Sequence, residues 1–488
     1  MDTNNDKRVN RIMKIKSMYN SYEFNNKIYM IGYGSVGRPL LYMLLKILKI
    51  QPENITVIDK MDKINEIYEF MKLGVKFIKV HITKDNYLQL LKDISKNDLI
   101  IDCGYDLSTN DLIELCQNKG CNFINSCIDD WDDVHCGDEV INNTLYMRNN
   151  RLMNLNNSYK NKNFNAIISM GCNPGNVSLW VKIGLEQINK KYGFKYNNHA
   201  ELSKNLGIKV IHISEKDTQL SKKIKKQNEY QNTWSSDGEA YYNEAIGPLE
   251  ISWGTHEKTI PQNTIYNDKN FIIVDRLCCD TYAQSVVPIY GRFKGNIISH
   301  DESNTIGKTL EICKDGKIIY KPSVYYVYQP CNSAKLSLDE LRDREYVHQE
   351  NYRLLTHEIK SGRDILGLTY YLENGEVYWI GSALSIEEAR EIYENKFDDW
   401  INATNVQVVA GYLGGILHII DLIKENKNMG IIVPDDLPHE KIMLLTKPFL
   451  GDFIFKKIDG FKLMNYDGKA STSNKYTNEW LFENFIVK

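Results

Sequence analysis

The chain carries no excess of either charge. Its 60 lysines and arginines stand against 63 aspartates and glutamates, so there is no bulk field for nucleic acid or an anionic membrane surface. Ten cysteines are scattered with no C-x-x-C pair. That pattern argues for reduced, mostly buried thiols and against a disulfide frame or a zinc site. A secretory signal is also lacking, since MDTNNDKRVNRIMKIKSMYN has no apolar centre. The longest apolar run, VVAGYLGGILHIIDLI at 408–423, contains His418 and Asp421 and reads as a buried helix, not a membrane span. Prolines number only 11, and no internal repeat is visible. The Asn- and Lys-rich run MNLNNSYKNKNFN (153–165) reads as a surface excursion. These absences leave a cytoplasmic protein with neither nucleic acid nor membrane as partner.

What is present begins with length. At 488 residues, 42% hydrophobic and 25% charged, the chain is globular and too long for one core, so two or three domains are expected. KIYMI (27–31) reads as a buried strand running into Gly32-Tyr33-Gly34-Ser35-Val36-Gly37, and the helical pattern RPLLYMLLKILKI follows. A G-x-G-x-x-G alone is weak, with about 0.1 chance matches expected in such a chain. Its context is the stronger signal: strand before, helix after, then a second strand ITVID ending in Asp59, 25 residues beyond Gly34. The glycines let backbone approach a pyrophosphate at a helix N-terminus, and the acid meets the adenosine ribose hydroxyls. An acid there repels a 2′-phosphate, so NAD is favoured over NADP.

Strands continue at 76–82, 98–104 and 121–127, with helices near NYLQLLKDI and DLIELCQNK between them. This alternation predicts an α/β, Rossmann-type doubly wound parallel sheet over 25–172. A flexible leader is expected at 1–24. Ligands of such sheets bind beyond the strands' carboxyl ends, where Gly104, Asp106, Asp129 and the turn Asn173-Pro174-Gly175 fall.

From 173 to 398 the pattern becomes that of a larger α+β domain. IKVIHIS (208–214) is an alternating strand ending in Glu215; FIIVDRL, YAQSVVPIYG and EVYWIGS are others. NTWSSDGEAYYNE (232–244) holds one indole and three carboxylates without a basic residue, and GNIISHDES places His300 and Glu302 where a strand yields to a helix. Taken singly, Trp234 has a bland reading as core, the glutamates as solvated surface, and His300 as a strand-end hydrogen-bonder. Together with the absence of arginine between Asn198 and Ile260, Glu215, Trp234, Glu244, His300 and Glu302 suit a substrate with amines and no acid group. Carboxylates and an indole face both attract ammonium, and a substrate carboxylate would call for a guanidinium.

The stretches GYGSVGRPLL, GCNPGNVSLWVK, VIHISEKDTQ, NTWS with GPLEISWGTHE, ISHDES, YWIGSAL and NATNVQVVAGYLGGI occur in order from residue 32 to the C-terminal part. In them the chain resembles the bacterial-type homospermidine synthases of the saccharopine-dehydrogenase-like superfamily. The resemblance implies a Rossmann domain completed by a C-terminal segment, 399–488. Between them it implies a substrate and dimerisation domain that makes a homodimer. It further implies tightly held NAD, and conversion of two putrescines, or other polyamines, to homospermidine and ammonia. Trp234 would be the cation–π partner, Glu215 and Glu244 (or Glu239 in its place) pocket carboxylates, and His300 and Glu302 their partners at a strand end. Asp106 and Asn173 would lie by the nicotinamide, with Asp129 standing where the family carries a glutamate. Glu215 and His300 are both candidates for the base that deprotonates the reacting ammonium. Two rivals are a carboxyspermidine- or saccharopine-type dehydrogenase, for whose carboxylate Arg276 and Arg292 could serve, and a non-catalytic NAD or polyamine sensor.

Overall fold

In the computed structural model the described residues are 19, 21–131, 140–236, 238–268, 271–465 and 475–487. The chain divides into two compact units.

Unit 1 comprises Met1–Asn143, Met147–Asn176 and Glu387–Leu450. Six short strands, β1 (Ile28–Ile31), β2 (Ile55–Asp59), β3 (Lys76–Lys79), β4 (Leu99–Asp102), β5 (Asn122–Asn125) and β6 (Asn165–Ile167), join Gly430–Ile432 in one sheet. The spatial order is (430–432)-β6-β5-β4-β1-β2-β3, and every pairing is parallel. β1, β4 and β5 are buried at every position, as parallel strands covered on both faces must be. At the edge, β3 (KFIK) is largely exposed and carries lysines that discourage further pairing. The expected strand 76–82 therefore stops at Lys79, and the helix near NYLQLLKDI is a single turn, Tyr87–Leu90.

The long helix Ala403–Lys424 opens on a reciprocal cap between Asn402 and Asn405. It is apolar and long enough by composition to cross a membrane, yet most of it is buried. Its glycines allow close packing: a Cβ on Gly411 would lie 1.8 Å from the Gly171 carbonyl oxygen. The expected leader 1–24 lies outside the described residues up to 18 and at 20. Beyond that, Tyr19 and Phe24 are buried, and the Tyr19 ring stacks 5.8 Å from Phe449, so this end of the leader is packed.

Unit 2 comprises Thr144–Tyr146, Val177–Ile386 and Gly451–Lys488. Its main sheet runs Thr264–Asn267, Phe271–Leu277, Pro248–Ser252, Ser323–Gln329, β7 (Ile208–Asp217), Arg363–Leu372, Val377–Ser385, Asp452–Lys457. The hairpin Tyr282–Val287/Gly291–Ile298 branches from Ser323–Gln329. β7 is central and buried along almost its whole length, parallel to Ser323–Gln329 and antiparallel to Arg363–Leu372. Of the segment 399–488, residues to Leu450 lie in unit 1 and Gly451–Lys488 in unit 2. The division follows from strand Asp452–Lys457, which pairs antiparallel with Val377–Ser385.

Candidate active site

In unit 1 the cofactor candidates all follow carboxyl ends of the parallel strands. Gly32 follows β1 with φ +89, and a Cβ there would meet the Cys103 carbonyl oxygen at 2.5 Å. A Cβ on Gly37 would sit 2.1 Å from the Gly32 carbonyl oxygen, so the turn through Gly34, Ser35 and Val36 into helix Gly37–Ile47 closes only on glycine at both ends. The Ser35 carbonyl accepts from Asn405 Nδ2 at 3.1 Å, which ties the loop to the Asn402–Asn405 cap. At the end of β2, Asp59 accepts from the Tyr33 amide at 2.6 Å and the Met61 amide at 2.7 Å. Arg38 and Lys63 both pair with Glu66, the latter at 3.2 Å, and Lys60, next to Asp59, is exposed.

After β4, the Gly104 amide donates to Asp102 Oδ1 at 2.9 Å. Burial, with Asp129 adding to it, pushes the Asp102 carboxyl up to about 7 against that hydrogen bond. Asp106 takes a positive φ of 61. Asp129, after β5, accepts from the Asp106 amide at 3.0 Å and from Arg148 Nη1 at 2.9 Å, and so braces the Asp106 loop. Asn173-Pro174 occupies the turn after β6, closed by Gly171 N to Pro174 O at 2.8 Å and by Gly175 at φ +132.

In unit 2 alternation on β7 sends Ile213, Glu215 and Asp217 to one face and His212, Ser214 and Lys216 to the other. Glu215 is buried and accepts from the Tyr326 hydroxyl at 2.6 Å. The Tyr326 ring lies 4.5 Å from the His300 ring and stacks on Tyr328. His300 precedes helix Asp301–Thr309 and sits between two carboxylates, with Nδ1 3.2 Å from Glu302 Oε1 and Nε2 3.5 Å from Glu244 Oε1. Burial alone would push this imidazole down; Glu302 and Glu244 outweigh it and hold the ring well above its ordinary range, protonated at neutral pH. Glu302 is 1% exposed, and its Oε2 has no hydrogen-bond partner among the described residues.

The loop before helix Glu239–Ile246 is shaped by Asn232, whose side-chain oxygen accepts from the Trp234 and Ser235 amides at 2.8 and 2.6 Å. The Thr233 hydroxyl fastens it to Asp217 at the end of β7, at 3.0 Å. Burial, reinforced by Asp364 opposite, pushes the Asp217 carboxyl up to about 7. Trp234 meets the edge of Tyr241, ring centroids 5.7 Å apart at 75°. Tyr241 and Glu244 lie three residues apart on one helix, hence on one face. Between the alternatives Glu239 and Glu244, it is Glu244 that reaches His300. Thus Glu215, Glu244, His300 and Glu302 form one cluster, and Trp234 borders it through Tyr241. The residues missed in the sequence are Tyr326, Tyr328 and Tyr241; equal parity in SVYYVYQ was the available signal for the first two.

Neither of the two arginines weighed for a substrate carboxylate is buried with the cluster. Arg276 and Arg292 are exposed, and the Arg292 guanidinium lies over the Phe461 ring at 5.0 Å.

Residues 28–167 match the saccharopine dehydrogenase NADP binding domain, and residues 171–454 the saccharopine dehydrogenase C-terminal domain. The chain is 29% identical over 485 residues to the homospermidine synthase of Mesorhizobium japonicum, covering 96% of this chain and 97% of that one. It is 30% identical over 486 residues to that of Blastochloris viridis, covering 96% and 98%. The solved homospermidine synthase of Legionella pneumophila in complex with NAD superposes with TM-score 0.84 at 31% identity, covering 96% and 98%. The apo saccharopine dehydrogenase (L-Glu forming) of Saccharomyces cerevisiae, TM-score 0.50 at 11% identity over 89% of this chain and 100% of that one, shares the fold. With identity of this order along nearly its full length, the chain belongs to the homospermidine synthase family.

Proposed function

We propose that this protein is an NAD-dependent homospermidine synthase that joins two putrescines and releases ammonia. The observation that carries the reading is Glu302: a buried carboxylate with one oxygen on a protonated His300 and the other without a hydrogen-bond partner among the described residues, in one cluster with Glu215 and Glu244. Such a site wants a cation, and the exposed Arg276 and Arg292 offer no fork to a substrate carboxylate. This weighs against the saccharopine-type rival.

The residues of unit 1 fit NAD. The Gly32–Gly37 turn supplies amides for a pyrophosphate, Asp59 supplies ribose acceptors and would repel a 2′-phosphate, and Glu66 pairs with Arg38 and Lys63. Gly104, Asn173 and Pro174 line the same strand ends. When bound, NAD supplies a two-electron acceptor that returns what it took, so nothing is oxidised overall.

Putrescine arrives as a dication. Trp234 and a carboxylate hold one ammonium, the indole contributing about 1–2 kcal/mol if the cation is desolvated. The reacting ammonium must first lose a proton, since its nitrogen needs a lone pair before an imine can form. His300 is held protonated by its two carboxylates, so we assign the role of base to Glu215. Glu244 and Glu302 then face a succession of cations: the iminium, its adduct with the second amine, and the secondary iminium. Fixed acceptors stabilise each of them. His300 in its charged form is placed to donate a proton to the departing ammonia. Within unit 1, Asp129 holds the Asp106 loop at the strand ends that also carry Asn173. Free thiols throughout the described residues support a reducing, cytoplasmic setting, and the family resemblance supports a homodimer.

The test is incubation with putrescine and NAD alone, followed by mass spectrometry. Homospermidine and ammonia in equal amounts, without accumulation of NADH, are expected. Stoichiometric NADH, or product only when an amino acid partner is added, would sink the reading.

A further inference from the structure

On strand Ser323–Gln329 the side chains alternate, so Tyr326 and Tyr328 share the Glu215 face while Tyr325 points to the opposite one. Tyr326 is 3% exposed and makes two contacts at once: its hydroxyl donates to Glu215 Oε2 at 2.6 Å, and its ring packs against His300, centroids 4.5 Å apart at 38°. The register places Tyr328, not Tyr326, directly across from Glu215. Tyr326 therefore reaches Glu215 diagonally along the face, which sets the direction from which the carboxylate is gripped.

We infer that Tyr326 is a positioning residue for the reaction: it fixes the carboxylate that takes the substrate proton and seats the imidazolium beside it, through one rigid side chain. The inference rests on the homospermidine synthase reading and adds to it a residue that touches neither cofactor nor reacting atoms. A phenol donating to a carboxylate favours the ionised carboxylate. The phenol is itself locked in the donor form, because burial and the neighbouring Glu215 hold it well above its ordinary range. The other charged or titratable groups around Glu215 come from every packed element: Asp217 on β7, Tyr328 on the neighbouring strand on one side, Asp364 on the neighbouring strand on the other, Glu244 on helix Glu239–Ile246, and His300 with Glu302 at helix Asp301–Thr309. Among these neighbours, the Tyr326 hydroxyl is a neutral donor that meets the Glu215 carboxylate at 2.6 Å.

The test uses the intact protein with NAD and putrescine, comparing wild type with Tyr326→Phe, which keeps the ring on His300 and removes only the hydroxyl. Expected is an acid limb of the kcat–pH profile moved to higher pH by about one unit, with a plateau lowered about tenfold, as for loss of one charge-assisted hydrogen bond. KM for putrescine and NAD affinity should stay within about twofold, since neither ligand is bound by the hydroxyl. Tyr326→Leu should lower kcat further by freeing His300; should it fail to fold, the phenylalanine variant decides alone. An acid limb that stays in place overturns the assignment, whatever happens to the plateau. No turnover by wild type would overturn the functional reading with it, so the two failures are told apart.

Discussion

His300 and His212 both lie in unit 2, on opposite sides of β7, and they ionise in opposite directions. His212 is wholly buried; its Nδ1 meets Ser285 Oγ at 3.1 Å and the Tyr371 hydroxyl at 3.3 Å. Tyr325, Tyr371 and Phe485 rings stand 4.4, 4.8 and 4.7 Å from it. Nothing around the ring is charged enough to repay desolvation, so burial holds it well below the ordinary histidine range, and neutral. His300 is also largely withdrawn from solvent, and it is protonated because two carboxylates sit on its two nitrogens. Adjacent residues of one strand serve the two rings, Tyr325 against His212 and Tyr326 against His300. The lesson is that burial sets a cost and the neighbours set its sign. Around Glu215 the face of β7 gathers charge, whereas around His212 the opposite face packs aromatic rings.

The largest effect that would break this division is on the charged face. Glu215→Gln keeps shape and removes the proposed base, and should lower kcat by about 10²–10⁴-fold while the thermal unfolding midpoint and NAD binding barely move. A small loss of kcat would mean that the proton goes elsewhere. On the neutral face the converse holds. His212→Ala leaves a hole among three aromatic rings and should cost about 3 kcal/mol in denaturant unfolding, with kcat of the folded enzyme within about twofold of wild type. A hundredfold loss of kcat would show that the two faces are not separate.

pH sharpens the contrast. The folded-state pKa of His300 is raised above the unfolded value, so its contribution to stability is complete below about pH 6.5 and is lost as pH rises through the raised value. His212 has a depressed folded-state value and does the reverse: stability is present above about pH 6.5 and is lost as pH falls below it. His300→Gln should therefore flatten the stability curve above pH 6.5, and His212→Phe should flatten it below. Each proton is worth at most about 1.4 kcal/mol per pH unit. Urea unfolding midpoints from pH 5 to 9 read both slopes. Parallel curves for the two variants would mean that the neighbours do not set the sign.

These two faces also mark how far the sequence can be read. The dinucleotide half was legible because a phosphate needs contiguous backbone: Gly32 to Gly37 and Asp59 are neighbours in the chain or one strand apart. Strand 430–432 was not, because three residues carry no periodicity and only its pairing with β6 defines it. In unit 2 the residue types near Trp234 were legible as an acid-rich, arginine-free region, whereas their convergence was not. Glu215 and Tyr326 are 111 positions apart, and Tyr325 and Tyr326 look alike until the partner strand assigns them to faces. Glu239 and Glu244 could not be ranked without knowing that helix Glu239–Ile246 turns Tyr241 and Glu244 to the same side. The division of 399–488 at Leu450 likewise depends on where DFIFKK finds a strand to pair with.

The smallest of these effects concerns Trp234, at the border of the charged face. If the indole holds an ammonium, Trp234→Ala should lower kcat/KM for putrescine about tenfold, as loss of about 1–2 kcal/mol implies. Trp234→Phe should recover part of it, since phenylalanine keeps a weaker π-face in the same place. NAD binding should be unchanged in both. Trp234 is only partly buried and meets Tyr241 edge-on, so alanine should cost little stability, and Asn232 still shapes the loop through backbone amides. Equal losses for both variants, together with a lowered unfolding midpoint, would assign the indole to packing and move the edge of the charged face inward to Glu244.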